Sequence, residues 1–346
     1  MQYYSTRLLS LLISPAFLLI TACGGGGDDV APDAAPAHSD ASALSTTAGT
    51  DLTARIAAAT ATAQSSTNAC GPIHPFYWEI GDRNGKQASG SVNSSTSSMT
   101  ISSTTSMSIA SASKWLYGAY VAQKRSGMPS AADLPYLSMR SGYTNFGSCQ
   151  TGQTVDSCLA YGSNGVVDAS TVGEFDYGGG HMQKHASLMG MGAMNSKALA
   201  TELMGQLGTD VKIGYGSPQL AGGVYTSSDV YARFLRKLLG GQLLMGGLLG
   251  QSPVCTNKLS CPSGTAVYAP IPPNESWHYS IAHWVEDDPV VGDGAFSSPG
   301  ALGFYPWIDA TRSYYGVLAR SVPLGAFDSV QCGRLIRKAW ATATAY

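Results

Sequence analysis

The sequence predicts an α+β fold: an antiparallel β-sheet flanked by helices, with a mostly helical insertion. Three observations lead there. Strand-like runs lie at both ends of the region from about residue 70 to the C-terminus, helical periodicity fills its middle, and one pair of cysteines is spaced to tie the ends together. Terminal segments that both supply strands have to meet in one sheet to bury their apolar faces.

The elements follow in order. Arg7 and the apolar stretch Leu8 to Ile20 have the makeup of an export signal (residues 1–22), too short and too broken by Ser10, Ser14 and Pro15 to span a bilayer. Ile20-Thr21-Ala22-Cys23 resembles a bacterial lipobox, in which the cysteine is lipidated and becomes the mature N-terminus; an ordinary cut after Ala22 is the alternative. Residues 23–66, with four glycines and then an Ala/Pro/Ser run, have the composition of a flexible tether. Within it, Asp51 to Ala63 is a marginal helix. Residues 67–346 form the folded domain. Phe76 to Ile80 and Ala88 to Val92 flank Asn84-Gly85 and read as a hairpin with a type I′ turn. A helix starts near Ser111 and runs toward Lys124. Residues 140–176, rich in Gly and Ser, read as loops over a site. His181 to Met194 and Ser196 to Leu207 read as helices. Thr226 to Asp229 has the form of a capping box ahead of the stripe Val230, Phe234, Leu235, Leu238 and Leu239. Then come strands at His278 to Glu286, Phe304 to Asp309 and Ser313 to Arg320, and a terminal helix over Asp328 to Trp340.

Composition narrows the function. Of 346 residues only 12% are charged, the net charge is −2 and no long basic or acidic block occurs. Such a chain has no electrostatic basis for binding nucleic acid or an anionic membrane surface. Setting Cys23 aside leaves six cysteines, an even number that in an exported chain points to disulfides. Cys149 and Cys158 flank one short loop and Cys255 and Cys261 another, which leaves Cys70 for Cys332. No Cys/His spacing suggests zinc, and no metal or other cofactor is called for.

Chemistry concentrates at Ser111-Ala-Ser-Lys114. A serine hydroxyl is a weak nucleophile unless a neighbour removes its proton. A lysine one helical turn on reaches the hydroxyl, and burial can leave it neutral and able to accept that proton. Three further blocks follow: Phe175-Asp176-Tyr177-Gly178-Gly179, the run Pro218 to Asp229, and Phe296 to Asp309. In their order and spacing the four blocks resemble the serine β-lactamase and penicillin-binding-protein superfamily. They are most similar to the branch with class C β-lactamases, carboxylesterases, D-aminopeptidases and 6-aminohexanoate-dimer hydrolases. The resemblance covers roughly residues 70–346 and implies the β-lactamase/transpeptidase-like fold.

It also implies roles. Ser111 would be the acylated nucleophile of S-x-x-K, Lys114 its proton partner, and Tyr177 the tyrosine of Y-x-N that shares the base role and protonates the leaving group. Ser298-Pro299-Gly300 falls where relatives carry K-T-G or H-x-G, and the N–H groups of Ser111 and Ala301 would form the oxyanion hole. Two departures stand out: Gly179 replaces the asparagine of Y-x-N, and Ser298 replaces a lysine or histidine. Tyr161 is the rival for Tyr177. His181 and His185, four apart on a helix, read as packing or pocket lining rather than metal ligands, and His278 and His283 as strand residues facing solvent or the cleft. Met182, Met189, Met191 and Met194 read as core. Trp284 and Trp307 fit a pocket border or sheet packing equally.

The expectation is a serine hydrolase of esters or amides, carboxylesterase-like before β-lactamase. The alternatives are an amide or peptide hydrolase of the 6-aminohexanoate-oligomer or D-aminopeptidase type, and a non-catalytic ligand-binding lipoprotein. Its partner would be a small or oligomeric substrate. It would touch a membrane only through a lipid at Cys23, in the bacterial envelope (outer membrane or periplasm), or be secreted.

Overall fold

The first and last strands of the folded region pair with each other. The computed structural model describes the backbone from residue 40 and side chains from residue 51, so the export signal and Cys23 lie outside the described residues. The elements are α1 (Asp40–Gln64), β1 (Phe76–Gly81), β2 (Lys86–Val92), β3 (Met107–Ser108), α2 (Ser113–Lys124), α3 (Leu134–Leu137), α4 (Val155–Leu159), β4 (Phe175–Asp176), α5 (Gly180–Ala186) and α6 (Ser196–Leu207). There follow β5 (Gly214–Tyr215), β6 (Val224–Thr226), α7 (Ser228–Leu239), β7 (Val254–Cys255), β8 (Ala266–Tyr268), β9 (His278–Tyr279), β10 (Trp284–Glu286), β11 (Ala295–Ser297), β12 (Tyr305–Ile308), β13 (Tyr315–Ala319) and α8 (Ala326–Thr342).

The main sheet is antiparallel, in the order β2-β1-β13-β12-β11-β10-β9-β7. Tyr77 opposite Ala319 sets the register between the ends. Every residue of β12 and β13 is buried, and α7 and α8 both pack on these strands, so the sheet is covered on two faces. The stretch between β2 and β7 holds the helices α2–α7 and forms the expected helical part. All three expected disulfides are present.

Several local expectations are corrected. The marginal helix expected over Asp51 to Ala63 is present and longer, as α1, so the segment up to residue 66 is less of a tether than its composition suggests, and Ala59, Thr62 and Ala63 are fully buried. Tyr346 N–H donates to Thr62 Oγ1 (2.9 Å), and Asn68 Nδ2 donates to the carbonyls of Thr62 and Tyr346 (2.9 and 2.7 Å), so small residues there serve a clasp on the C-terminus. The β1–β2 hairpin forms without a type I′ turn. Neither Asn84 nor Gly85 has a positive φ, and the Asp82 carboxylate takes the turn amides of both (2.7 and 3.0 Å). The capping box at Thr226 does not form: α7 starts at Ser228, Thr226 Oγ1 donates to Lys212 O and Asp229 pairs with Arg233. The run His278 to Glu286 is two paired strands, because Ala282 (φ 63°) turns the chain back. His283 is consequently fully buried, stacked on Trp115 at 5.6 Å, while His278 pairs with Asp287 outside. The helix expected from His181 to Met194 stops regular winding after Ala186, and Gly190 (φ 81°) breaks it. Met182 and Met191 are core and Met189 and Met194 pack against it.

Candidate active site

Ser111 sits on a strand-to-helix corner. β3 pairs with β6, Ile109 N–H extends that pairing to Val224 O (3.0 Å), and a single 3-10 turn (Ala110–Ala112) then leads into α2. Ala110 takes a left-handed φ of 44°, which costs an alanine free energy and persists where surrounding contacts impose it. Those contacts are visible. Ser113 Oγ donates to Ala110 O (2.6 Å) and accepts from Val224 N–H (3.2 Å), and Tyr231 OH donates to Ala112 O (2.8 Å). Trp115, Leu116, Tyr117, Ala119 and Val121, all at zero exposure, anchor α2 in the core behind the corner.

Lys114 lies 3.0 Å from Ser111 Oγ and donates to Ala221 O at 3.0 Å. It is buried with no ion-pair partner among the described residues. Burial brings its pKa down to about 7, so near neutral pH a large fraction of the amine is uncharged and can take a proton from Ser111. Ala221, in the 218–229 block, was not singled out from sequence. A small residue beside two glycines was the only signal, and here its main-chain oxygen is what acts.

Tyr177 follows β4, which pairs in parallel with β8; its N–H donates to Tyr268 O (3.0 Å). Its ring stands 4.5 Å from Lys114 Nζ and packs on Trp284 (5.3 Å) and Tyr279 (5.9 Å). Desolvation pushes its hydroxyl up to about 12, with hydrogen bonding to Ser111 and Trp284 pulling the other way. Tyr161, the rival, is 51% exposed and lines no cavity with Ser111.

Ser111 and Tyr177 open on a cavity of about 110 Å³. Trp277, Trp284, Ile271, Phe327, Val330 and Ala301 supply much of its wall, and none of its lining residues is charged. Ala301 N–H makes no hydrogen bond among the described residues and remains free beside Ser111. Ser298 and Gly300 do not line this cavity. Ser298 Oγ donates to Ser111 O (3.0 Å), which braces the corner from behind. At Gly300 a Cβ would meet Ile109 O at 2.1 Å, so the strand end can approach the corner only as glycine. Gly179 is less confined: a Cβ there would stand 2.9 Å from the Phe146 ring, which would have to shift. Arg140 and Arg312 are held by Gly173 O and Leu249 O, and neither lines the cavity. Trp284 borders the cavity, whereas Trp307 packs under Arg337 in the sheet.

The histidine pair of α5 divides its partners. His181 lies between Ser141 and the Asp176 carbonyl, and His185 between Tyr117 OH and Asp133 (2.9 Å each). No group of three metal-ligating side chains gathers among the described residues.

No protein-family model matches the sequence, and no curated protein does. Solved structures do match. A presumed β-lactamase from Bacteroides dorei is 17% identical and covers 88% of this chain and 98% of its own, with a TM-score of 0.54. FmtA from Staphylococcus aureus is 13% identical, with 84% and 89% covered and a TM-score of 0.57. EstCE1, a hydrolase with promiscuous acyltransferase activity, is 11% identical, with 84% and 99% covered and a TM-score of 0.56. The chain shares the β-lactamase-like fold of these structures. In this β-lactamase-like fold, residues 66 positions apart in sequence, Ser111 and Tyr177, come to line one cavity with Lys114 beneath them.

Proposed function

We infer that the chain is a serine hydrolase that cleaves esters of uncharged, apolar acyl groups through an acyl-enzyme on Ser111. The observation that carries the reading is an uncharged apolar cavity opening directly on a serine paired with a buried lysine that has no ion-pair partner among the described residues. In the first step the neutral Lys114 amine takes the Ser111 hydroxyl proton as Oγ attacks the substrate carbonyl. The C=O bond becomes an oxyanion, for which the Ser111 and Ala301 N–H groups are the donors. Collapse expels the alkoxide, protonated from Lys114 or Tyr177, and leaves the acyl group on Oγ. Water, deprotonated by the same pair, then releases the acid and restores Ser111.

Uncharged walls set the preference. A cation beside a substrate carboxylate contributes a charge-assisted hydrogen bond of roughly 1.5–3 kcal/mol, or about ten- to a hundredfold. With no such cation on the cavity wall, penicillins and cephalosporins lose that factor and neutral esters do not. The test compares p-nitrophenyl butyrate with nitrocefin and labels the protein with a fluorophosphonate. Ester turnover at least tenfold faster, with labelling abolished in Ser111→Ala, is expected. Nitrocefin turnover equal to that of the ester overturns the substrate reading, and labelling that survives Ser111→Ala overturns the nucleophile. The same proposal places the enzyme in the bacterial envelope on a lipid at Cys23; Cys23→Ser is expected to leave the membrane fraction with activity intact, and its retention there would refute the anchor.

A further inference from the structure

We propose that His181 is a positioning residue that holds Tyr177 against Ser111 and Lys114 by clamping the peptide in front of it. The proposal rests on the reading of Tyr177 as a proton-transfer group. His181 is fully buried, and both ring nitrogens are engaged. Nε2 stands 2.8 Å from Asp176 O, and Nδ1 stands 2.8 Å from Ser141 Oγ and 3.3 Å from Ser141 N. A carbonyl oxygen can only accept, so Nε2 carries the proton. The ring is neutral in this arrangement, so Nδ1 is bare and accepts from Ser141. One tautomer fits, and it leaves His181 no free nitrogen with which to act as a base.

What the ring holds is the peptide that aims Tyr177. Asp176 C=O accepts a hydrogen bond from His181 Nε2–H, Asp176 N–H donates to Met139 O (2.9 Å) and Tyr177 N–H donates to Tyr268 O (3.0 Å). The main chain on both sides of the Tyr177 peptide is thus pinned, from α5, from the Met139–Ser141 segment and from β8. Met139 itself is buried with φ at 60°, an arrangement that the surrounding contacts must impose. Removing the imidazole leaves the Asp176 carbonyl without that donor and lets the segment before Tyr177 drift, while Ser111 and Lys114 stay on the 3-10 turn and on α2.

The test is a double-mutant cycle in the full-length protein with a p-nitrophenyl ester. His181→Phe keeps a ring and removes both nitrogens. It is expected to lower kcat about 10- to 100-fold with KM within about twofold, the scale of a 1 Å misplacement of an aligned group. His181→Gln, which offers both a donor and an acceptor, is expected to recover part of the loss. In a Tyr177→Phe background, His181→Phe is expected to change kcat by less than about twofold, because its effect passes through the tyrosine hydroxyl. An equal loss in both backgrounds overturns the clamp alone. A fully active Tyr177→Phe overturns the tyrosine assignment and the clamp with it. If His181→Phe fails to fold, Ser141→Ala enters the same cycle, with a loss of about three- to tenfold expected that vanishes in the Tyr177→Phe background.

Discussion

Replacing Lys114 by methionine should inactivate the protein and stabilise it, in a way that depends on pH. The side chain is 3% exposed, and burial lowers its pKa from the ordinary 10.5 to about 7. At about 1.4 kcal/mol per pH unit of that gap, the folded state is destabilised by about 4–5 kcal/mol wherever the unfolded lysine is charged and pH is at or below 7. Below pH 7 both states hold the proton and the full cost stands. Between 7 and 10.5 only the unfolded chain holds it, so stability rises with pH; above 10.5 neither does and the cost is gone. Methionine removes this dependence but leaves Ala221 O without its donor, a loss of roughly 1–3 kcal/mol. Lys114→Met is therefore expected to be about 1–4 kcal/mol more stable than the parent at pH 6, with the advantage shrinking by about 1.4 kcal/mol per pH unit above 7. Urea unfolding under non-reducing conditions at pH 6, 7, 8 and 9 measures it. Parallel stability curves for the two proteins would show that Lys114 is not held neutral, and the general-base argument would fall with them.

Three further outcomes follow from the same geometry. Ester kcat/KM should fall tenfold per pH unit below about 7, where Lys114 is protonated and cannot accept from Ser111, and run level from about pH 8 to 11; a maximum near pH 5 would contradict this. Tyr177→Phe should cost about 10²- to 10⁴-fold in kcat, as loss of a general acid–base group does, while Tyr161→Phe, out in solvent, should be silent. Opening the Cys70–Cys332 bridge, with its sequence separation of 262, should destabilise by about 5 kcal/mol on the chain-entropy model, more than the loss of either short-loop bridge; denaturant midpoints of the three paired Cys→Ala variants rank them.

Much of this was legible in the sequence because the signals were short-range or topological. Ser111 and Lys114 are one turn apart, so a helix start suffices to bring them together. Apolar strand runs at 76–92 and 304–320 had one way to bury their faces, and the cysteine spacing agreed with it. What escaped was chemistry done by main chain or by distant partners. Ala221 contributes a carbonyl that no residue type announces. His181 meets Ser141 forty positions away, and periodicity on its own helix said only that it faces inward. Trp277, Ile271 and Phe327 gather on the cavity from separate segments with no common spacing. Local rules also yielded where a side chain offered a competing bond: the Asp82 carboxylate displaced the Asn-Gly turn, and Lys212 O drew Thr226 away from capping α7.

Phe146 restricts how this chain can change. An asparagine at 179 would put its Cβ 2.9 Å from one Phe146 ring carbon and 3.0 Å from another. An asparagine at 179 therefore requires the Phe146 ring to shift by a few tenths of an ångström, so the return of the Y-x-N amide is coupled to how freely that ring moves. A smaller side chain at 146 is thus expected to ease the introduction of an asparagine at 179.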